Sequence, residues 1–354
     1  MKKFAYYLPQ FHEIPENNEW WGKGFTEWVN VKKAQPLFKG HRQPQIPLNN
    51  NYYKLDNPDT LVWQAELAKK YKIDGFIFYN YYFCGKQLLE KPAEILLNNK
   101  DIPMKFFFCW ANHSWFRSWE GSKELLVEQV YGSESDWERH FQYLLTFFKD
   151  DRYEKRDNKP LFLIYKSDFK EFELIFSYFN KRCKEEGFSG IYLFISKTKY
   201  DEVSDSILIN RFDFEYTYTI REPDACLNEY RKNVFHKIKN RAGTYSRRLG
   251  IKYLESYNGD ELYNIMNRKK FDSSIARGIF FSWDNTPRHN YRGFVVNEPH
   301  KDSYFKYMDT IKNSEYIFIN AWNEWCEGMI LEPTEEKKYK YLQWIKEWSD
   351  KYET

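Results

Sequence analysis

Eight short runs of apolar and aromatic residues recur along this chain, and their spacing constrains the fold more than any other feature. They lie at residues 3–8, Ile73–Tyr82, Lys105–Trp110, Leu161–Tyr165, Ile191–Ser196, Ile207–Tyr216, Gly278–Trp283 and Tyr316–Ala321. Runs this short, apolar rather than alternating, have the pattern of strands buried on both faces. Asn57-Pro58 reads as a helix cap with proline at the first helical position, and Leu61, Val62, Ala65 and Ala68 follow at helical spacing. Further helices are expected around Leu88–Asn98, over 135–148, over 169–186 with Gly187 as the stop, and over 336–349. Strands separated by helices or long polar loops predict an α/β fold. The reading is a (β/α)8 barrel with long loops at its C-terminal face, one domain over residues 1–354. Closing such a barrel makes its first and last strands neighbours, so Phe4–Leu8 and Ile317–Ala321 are expected to pair.

The residues just past the strand ends of such a barrel face one mouth, which is where chemistry is sought. After the last strand, Asn323, Glu324 and Glu327 crowd polar groups around Trp322 and Trp325. Two readings stand: a catalytic carboxylate pair, or solvated glutamates of a loop. Tyr7, His12, Trp28, Tyr81, Trp110, Asn112, His113, Asp284 and Asn323 are the substrate-binding candidates. His113 lies in a loop after Trp110 that runs through Trp115, Arg117, Trp119 and Glu120 to Gly121, and reads either as an acid–base group or as a hydrogen-bonding residue. The long segment Gln10–Asn51, rich in aromatics, is expected to be an ordered loop lining the site. The stretch 221–276 carries Arg231, Lys232, Lys237, Lys239, Arg241, Arg247, Arg248 and Lys252. It reads as a solvated helix face or as a subsite for an anionic partner.

Composition narrows the partners. Lys+Arg 54 against Asp+Glu 51 leaves +3, a balance that asks for neither nucleic acid nor a membrane surface. Aromatic residues make up 20% of the chain, more than a core is expected to use, and their rings can pack on the C–H faces of sugars. Five cysteines are odd in number and share no metal-ligand spacing, so no metal or cofactor is expected and a reducing, cytoplasmic setting is the simpler inference. No apolar stretch approaches the length of a membrane span.

Several motifs together resemble a known family. They are Tyr7-Leu8-Pro9-Gln10-Phe11-His12, Glu19-Trp20-Trp21-Gly22-Lys23-Gly24-Phe25-Thr26-Glu27-Trp28, Asp74-Gly75-Phe76, Cys109-Trp110-Ala111-Asn112, Lys159-Pro160-Leu161-Phe162-Leu163-Ile164-Tyr165, Trp283-Asp284-Asn285-Thr286-Pro287 and Asn320-Ala321-Trp322-Asn323-Glu324-Trp325-Cys326-Glu327-Gly328. They resemble the WbsX-type family of surface-polysaccharide (O-antigen, capsule) loci, classed as glycosyltransferases and similar to glycoside hydrolase family 99, the endo-acting α-mannosidases. The resemblance implies a (β/α)8 barrel and a catalytic pair in an Asn-Glu-x-x-Glu-Gly motif, with Glu324 as base and Glu327 as acid/base. In that mechanism the sugar's own 2-hydroxyl attacks the anomeric carbon, and water opens the resulting 1,2-anhydro sugar with net retention. His113 departs from the glutamate usual at its place, and 221–276 matches least.

The expected activity is cleavage or transfer of a glycosidic bond in a bacterial surface polysaccharide, the substrate being an oligosaccharide or polysaccharide. The alternatives are a sugar-nucleotide-dependent glycosyltransferase and a non-catalytic glycan-binding barrel.

Overall fold

The computed structural model of the protein describes residues 1–117, 124–203 and 212–352. Its centre is eight strands: β1 (Lys2–Tyr7), β2 (Gly75–Phe83), β3 (Lys105–Trp110), β4 (Lys159–Ile164), β5 (Tyr192–Lys197), β6 (Glu215–Ile220), β7 (Arg277–Phe280) and β8 (Tyr316–Asn320). They pair in parallel in the order β6-β5-β4-β3-β2-β1-β8-β7. A parallel bridge between Thr219 and Ala276 closes the seam from β6 to β7, with Ala276 N donating to Tyr218 O at 3.1 Å and Ile220 N to Ala276 O at 3.0 Å. β1 and β8 are neighbours as expected, with Lys3 opposite Ile317 and Phe4 opposite Phe318. The result is a (β/α)8 barrel.

Twelve helices lie among the described residues, in chain order α1 (Pro15–Trp21), α2 (Glu27–Lys33), α3 (Pro58–Lys70), α4 (Lys91–Asn98), α5 (Glu134–Phe148), α6 (Phe172–Glu185), α7 (Glu222–Arg231), α8 (Val234–Arg248), α9 (Gly259–Arg268), α10 (Thr286–His289), α11 (Lys301–Thr310) and α12 (Lys340–Tyr352). Asn57 caps α3 by accepting from Asp59 N at 3.0 Å, as the Asn-Pro pair implied. The segment 10–51 is not wholly loop. It contains α1 and α2, each 7 residues and too short to show a helical period in sequence. β6 starts at Glu215, later than the Ile207 expected, because Glu-Tyr-Thr-Tyr-Thr-Ile alternates where a continuous apolar run was sought. Residues 207–211 of that expected strand, and 118–121 of the loop after β3, lie outside the described residues. Trp283 and Asp284 do not extend β7 but pair antiparallel with Phe294–Val296 in a separate small sheet. No helix among the described residues is long and apolar enough to cross a membrane.

Aromatic side chains plug the barrel. Contacts between strands that are not sheet neighbours must cross the interior, and Phe4 meets Phe107 at 5.1 Å, Phe107 meets Phe318 at 5.8 Å and Phe318 meets Phe194 at 5.0 Å between ring centroids. Much of the aromatic surplus is therefore core, packed edge to face. At the lower end of β2 the sheet leaves no room for a side chain: a Cβ on Gly75 would lie 2.0 Å from Lys105 O on β3. Gly75→Ala is expected to lower the unfolding free energy by at least about 2 kcal/mol, read from the urea midpoint. An unchanged midpoint would show that β2 and β3 can part at no cost.

Candidate active site

Past β8 the chain folds into a tight hairpin, Asn323–Glu324 pairing with Met329–Ile330 around a single turn, Trp325–Glu327, and Gly328 at φ 62°. Asn323 fixes the hairpin to the end of β1. Its side chain accepts from Leu8 N at 2.7 Å and donates to Leu8 O at 3.0 Å and to Tyr53 Oη at 3.2 Å. Asp284 supports the neighbouring loop by accepting from His41 Nε2 at 2.9 Å, Gln43 Nε2 at 2.7 Å and Thr286 Oγ1 at 2.6 Å. Burial alone would raise its pKa, but the hydrogen bonds from His41, Thr286 and Gln43 outweigh this and hold the carboxyl below the usual range.

Arg288, on α10, gathers three carboxylates. Its Nη1 lies 2.5 Å from Glu327 Oε1, and its Nη2 lies 2.7 Å from Glu27 Oε1 and 3.4 Å from Glu324 Oε2. Trp283 Nε1 donates to the other oxygen of Glu327 at 3.1 Å. Glu27, the first residue of α2, is fully buried. Glu324 and Glu327 open onto a cavity of about 350 Å³ with Tyr79 and Tyr165 beneath, Trp21, Tyr81 and Trp115 among its aromatic lining, and Asn17, Gln10 and His113 as polar contacts. That volume lies in the range of small-ligand sites.

Glu324 is the more enclosed member of the pair. Burial first, and then the nearby charges of Glu327 and Glu27 against the opposing pull of Arg288, push its carboxyl up to about 8. Glu324 therefore holds its proton to higher pH than an ordinary carboxyl does. His113 is pulled down to about 4 by burial and then by Lys166 and Arg221, so it is uncharged at neutral pH. Behind the hairpin, Glu332 is raised by burial to about 7 despite hydrogen bonds from Trp325, Gln64 and Tyr53.

Of the residues singled out in the sequence, Tyr81, His113, Glu324 and Glu327 line this cavity. The structure does not bring the others into it. Tyr7 donates to Gln64 at 2.6 Å, and Trp110 donates to Tyr82 O at 3.1 Å. Trp28 donates to Tyr53 O at 2.7 Å, and His12 Nδ1 bonds Pro9 O at 3.0 Å. Asn112 ties two loops together through Lys166 N and O, and Asp284 and Asn323 are committed to the bonds above. Strand parity explains Tyr7 and Trp110. Successive side chains point to opposite faces, so Tyr6, Tyr79 and Cys109 face the barrel axis while Tyr7, Asn80 and Trp110 face the helices. The same parity, applied to Tyr81, would have found Tyr79 two residues earlier. Asn17, Glu27, Tyr165 and Arg288 were also missed, though three of the four stand in or beside the quoted motifs.

Fold and site together have the plan of a carbohydrate-active enzyme: a (β/α)8 barrel with a carboxylate pair at the C-terminal strand ends. The chain belongs to the family described as Glycosyltransferase WbsX, whose profile matches residues 3–345. It is 31% identical over 355 residues to the protein WxcX of Xanthomonas campestris pv. campestris, in strains B100 and ATCC 33913, an overlap of 96% of this chain and 48% of WxcX. The chain thus spans about half the length of the curated relatives it matches. Among solved structures it resembles the GH99 endo-α-mannosidase from Bacteroides thetaiotaomicron, with a TM-score of 0.55 and 13% identity over 99% of this chain and 97% of that one. It also resembles a glycoside hydrolase-like protein, with a TM-score of 0.57 and 12% identity over 99% and 93%. At such identities the likeness is one of fold.

The raised Glu324 carboxyl has a stability consequence. Between the ordinary carboxyl value of 4.5 and about 8 the folded protein holds a proton that the unfolded chain has lost, so stability falls as pH rises through that window and levels off above it. Glu324→Gln removes this loss. The variant's advantage in unfolding free energy over the parent should grow from about pH 5 to about pH 8 and then stay level, in urea denaturation across that range. A difference that does not change with pH would mean that Glu324 titrates as an ordinary carboxyl.

Proposed function

We propose that the protein cleaves or transfers a glycosidic bond within a bacterial surface polysaccharide, with net retention, using Glu324 and Glu327. The observation that carries this reading is the placement of both carboxylates on one short turn, at an aromatic-lined cavity, around a shared Arg288. In the scheme that the resemblance implies, Glu324 takes the proton of the sugar's 2-hydroxyl as O2 bonds to C1. The C1–O bond breaks, and Glu327 protonates the departing oxygen. Water, deprotonated by Glu327, then opens the 1,2-anhydro sugar, and Glu324 returns its proton to O2. The five cysteines are free thiols, in keeping with work in the cytoplasm.

The scheme needs one proton on the pair, placed on Glu327, whereas burial raises the carboxyl of Glu324. Both assignments are therefore tested, Glu324 as base with Glu327 as acid, and the reverse. A pH profile cannot separate these cases, because both hold the same number of protons and the bell-shaped curve belongs to the pair. Leaving-group dependence can. Glu327→Gln is expected to lose about 100-fold or more on natural glycans yet keep most activity on an activated aryl glycoside, while Glu324→Gln loses both. The opposite pattern would exchange the roles, and near-normal turnover by both variants would remove the pair from catalysis.

The family's description favours a second reading, a sugar-nucleotide-dependent glycosyltransferase. Incubation with surface oligosaccharides and with sugar nucleotides, read by mass spectrometry, separates the two. A shortened glycan supports cleavage, consumption of a sugar nucleotide supports the transferase, and binding without turnover would leave a glycan-binding barrel.

A further inference from the structure

Between Val234 and Lys252 the sequence contains six lysines and arginines and no acidic residue. Most of this segment is α8. One face of the helix is packed: His236 lies 4.4 Å from Tyr230 and 5.1 Å from Tyr257 between ring centroids, and a Cβ on Gly243 would stand 2.1 Å from the ring of Tyr253. The opposite face is open. At 3.6 residues per turn Val234, Ile238, Tyr245 and Leu249 fall within roughly 60° of one another, and Lys237, Arg241 and Arg248 border them on one side. Together with Ile251, these apolar residues are between 56% and 66% exposed. Five of the twelve exposed large apolar side chains among the described residues are therefore in this one stretch, whereas scattered single ones would need no explanation. Lys237, Arg241 and Arg248 have no acidic partner among the described residues.

We infer that α8 docks the protein on an anionic lipid surface, its apolar stripe set among the headgroups and its basic border against lipid phosphates. An amphipathic helix with an apolar stripe and a Lys/Arg-rich flank is what lies flat in a membrane interface. Charge complementarity selects this occupant over a second copy of the chain. An isologous contact through the same face would add Lys237, Arg241 and Arg248 of a second copy to those of the first, and the stretch 234–252 holds no carboxylate to offset them. The inference goes beyond the reading of the active site and does not depend on it. The helix is nonetheless joined to that site by ring contacts, from His236 to Tyr257, then Phe294 at 5.8 Å and Trp283 at 4.7 Å, whose Nε1 reaches Glu327.

The test is co-sedimentation of the full chain with vesicles of phosphatidylcholine alone and with vesicles enriched in phosphatidylglycerol. Binding should appear on the anionic vesicles, weaken with added salt, and fall by at least about tenfold in Lys237→Glu/Arg241→Glu/Arg248→Glu. Ile238→Ser/Leu249→Ser should weaken it at low salt too, because it removes the inserted area and leaves the charge. All five positions are exposed, and circular dichroism checks that the variants stay folded. Equal binding to both vesicle types, or a triple variant that binds like the parent, would overturn the inference. So would a tight dimer in sedimentation equilibrium that Ile238→Ser/Leu249→Ser dissolves while no vesicle is bound, or saturable capture by an acidic protein in place of lipid.

Discussion

The parallel pairing of β1 with β8 is the constraint on which the rest of the site depends. It sets Phe4 beside Phe318 and so brings the first strand end against the last. Only then can Asn323 hold both the N–H and the C=O of Leu8, which fixes the direction in which the hairpin that carries Glu324 and Glu327 leaves the barrel. The same adjacency carries the segment after β1 across the hairpin, so that α2 delivers Glu27 to an arginine more than two hundred and fifty positions away. The pairing of the first and last strands thus brings the segments that carry Glu27, Glu324 and Glu327 together.

Within that frame Arg288 balances a crowded set of charges. Three carboxylates close together in a water-poor site repel one another and lose hydration, and a single guanidinium with its forked donors can answer all three. It does so unequally: Glu27 and Glu327 take the short contacts, and Glu324 is left with the long one. Burial first, and then the charges of Glu327 and Glu27, raise the Glu324 carboxyl, and Arg288 only partly offsets them. Removing one partner from a buried cluster of this kind commonly costs about 3–5 kcal/mol, because the remaining charge is stranded. Glu27 and Arg288 therefore matter to stability whatever their part in the proposed chemistry.

Much of the architecture was legible in the sequence because its signals are local. Lys105–Trp110 and the start of Tyr316–Ala321 coincide with β3 and β8, the Asn57-Pro58 cap opens α3 where expected, and Gly187 follows the end of α6. Glu324 and Glu327 stood out because nothing in packing explains two carboxylates so close to a pair of tryptophans. What was not legible depends on direction or on distance. Being near a strand end did not say which way Tyr7 or Trp110 points; the two-residue period of the strand decides that. No local pattern says that residues 27 and 288 meet. Net charge is likewise an average: +3 over the whole chain includes a stretch from 234 to 252 without a single acid.

The aromatic plug of Phe4, Phe107, Phe194 and Phe318 governs traffic as well as stability. With those rings on the barrel axis, no passage leads down it from the cavity among the described residues. On the proposed reading, a long glycan would therefore not thread through the barrel but lie across its mouth, or dip one segment in and withdraw it the same way.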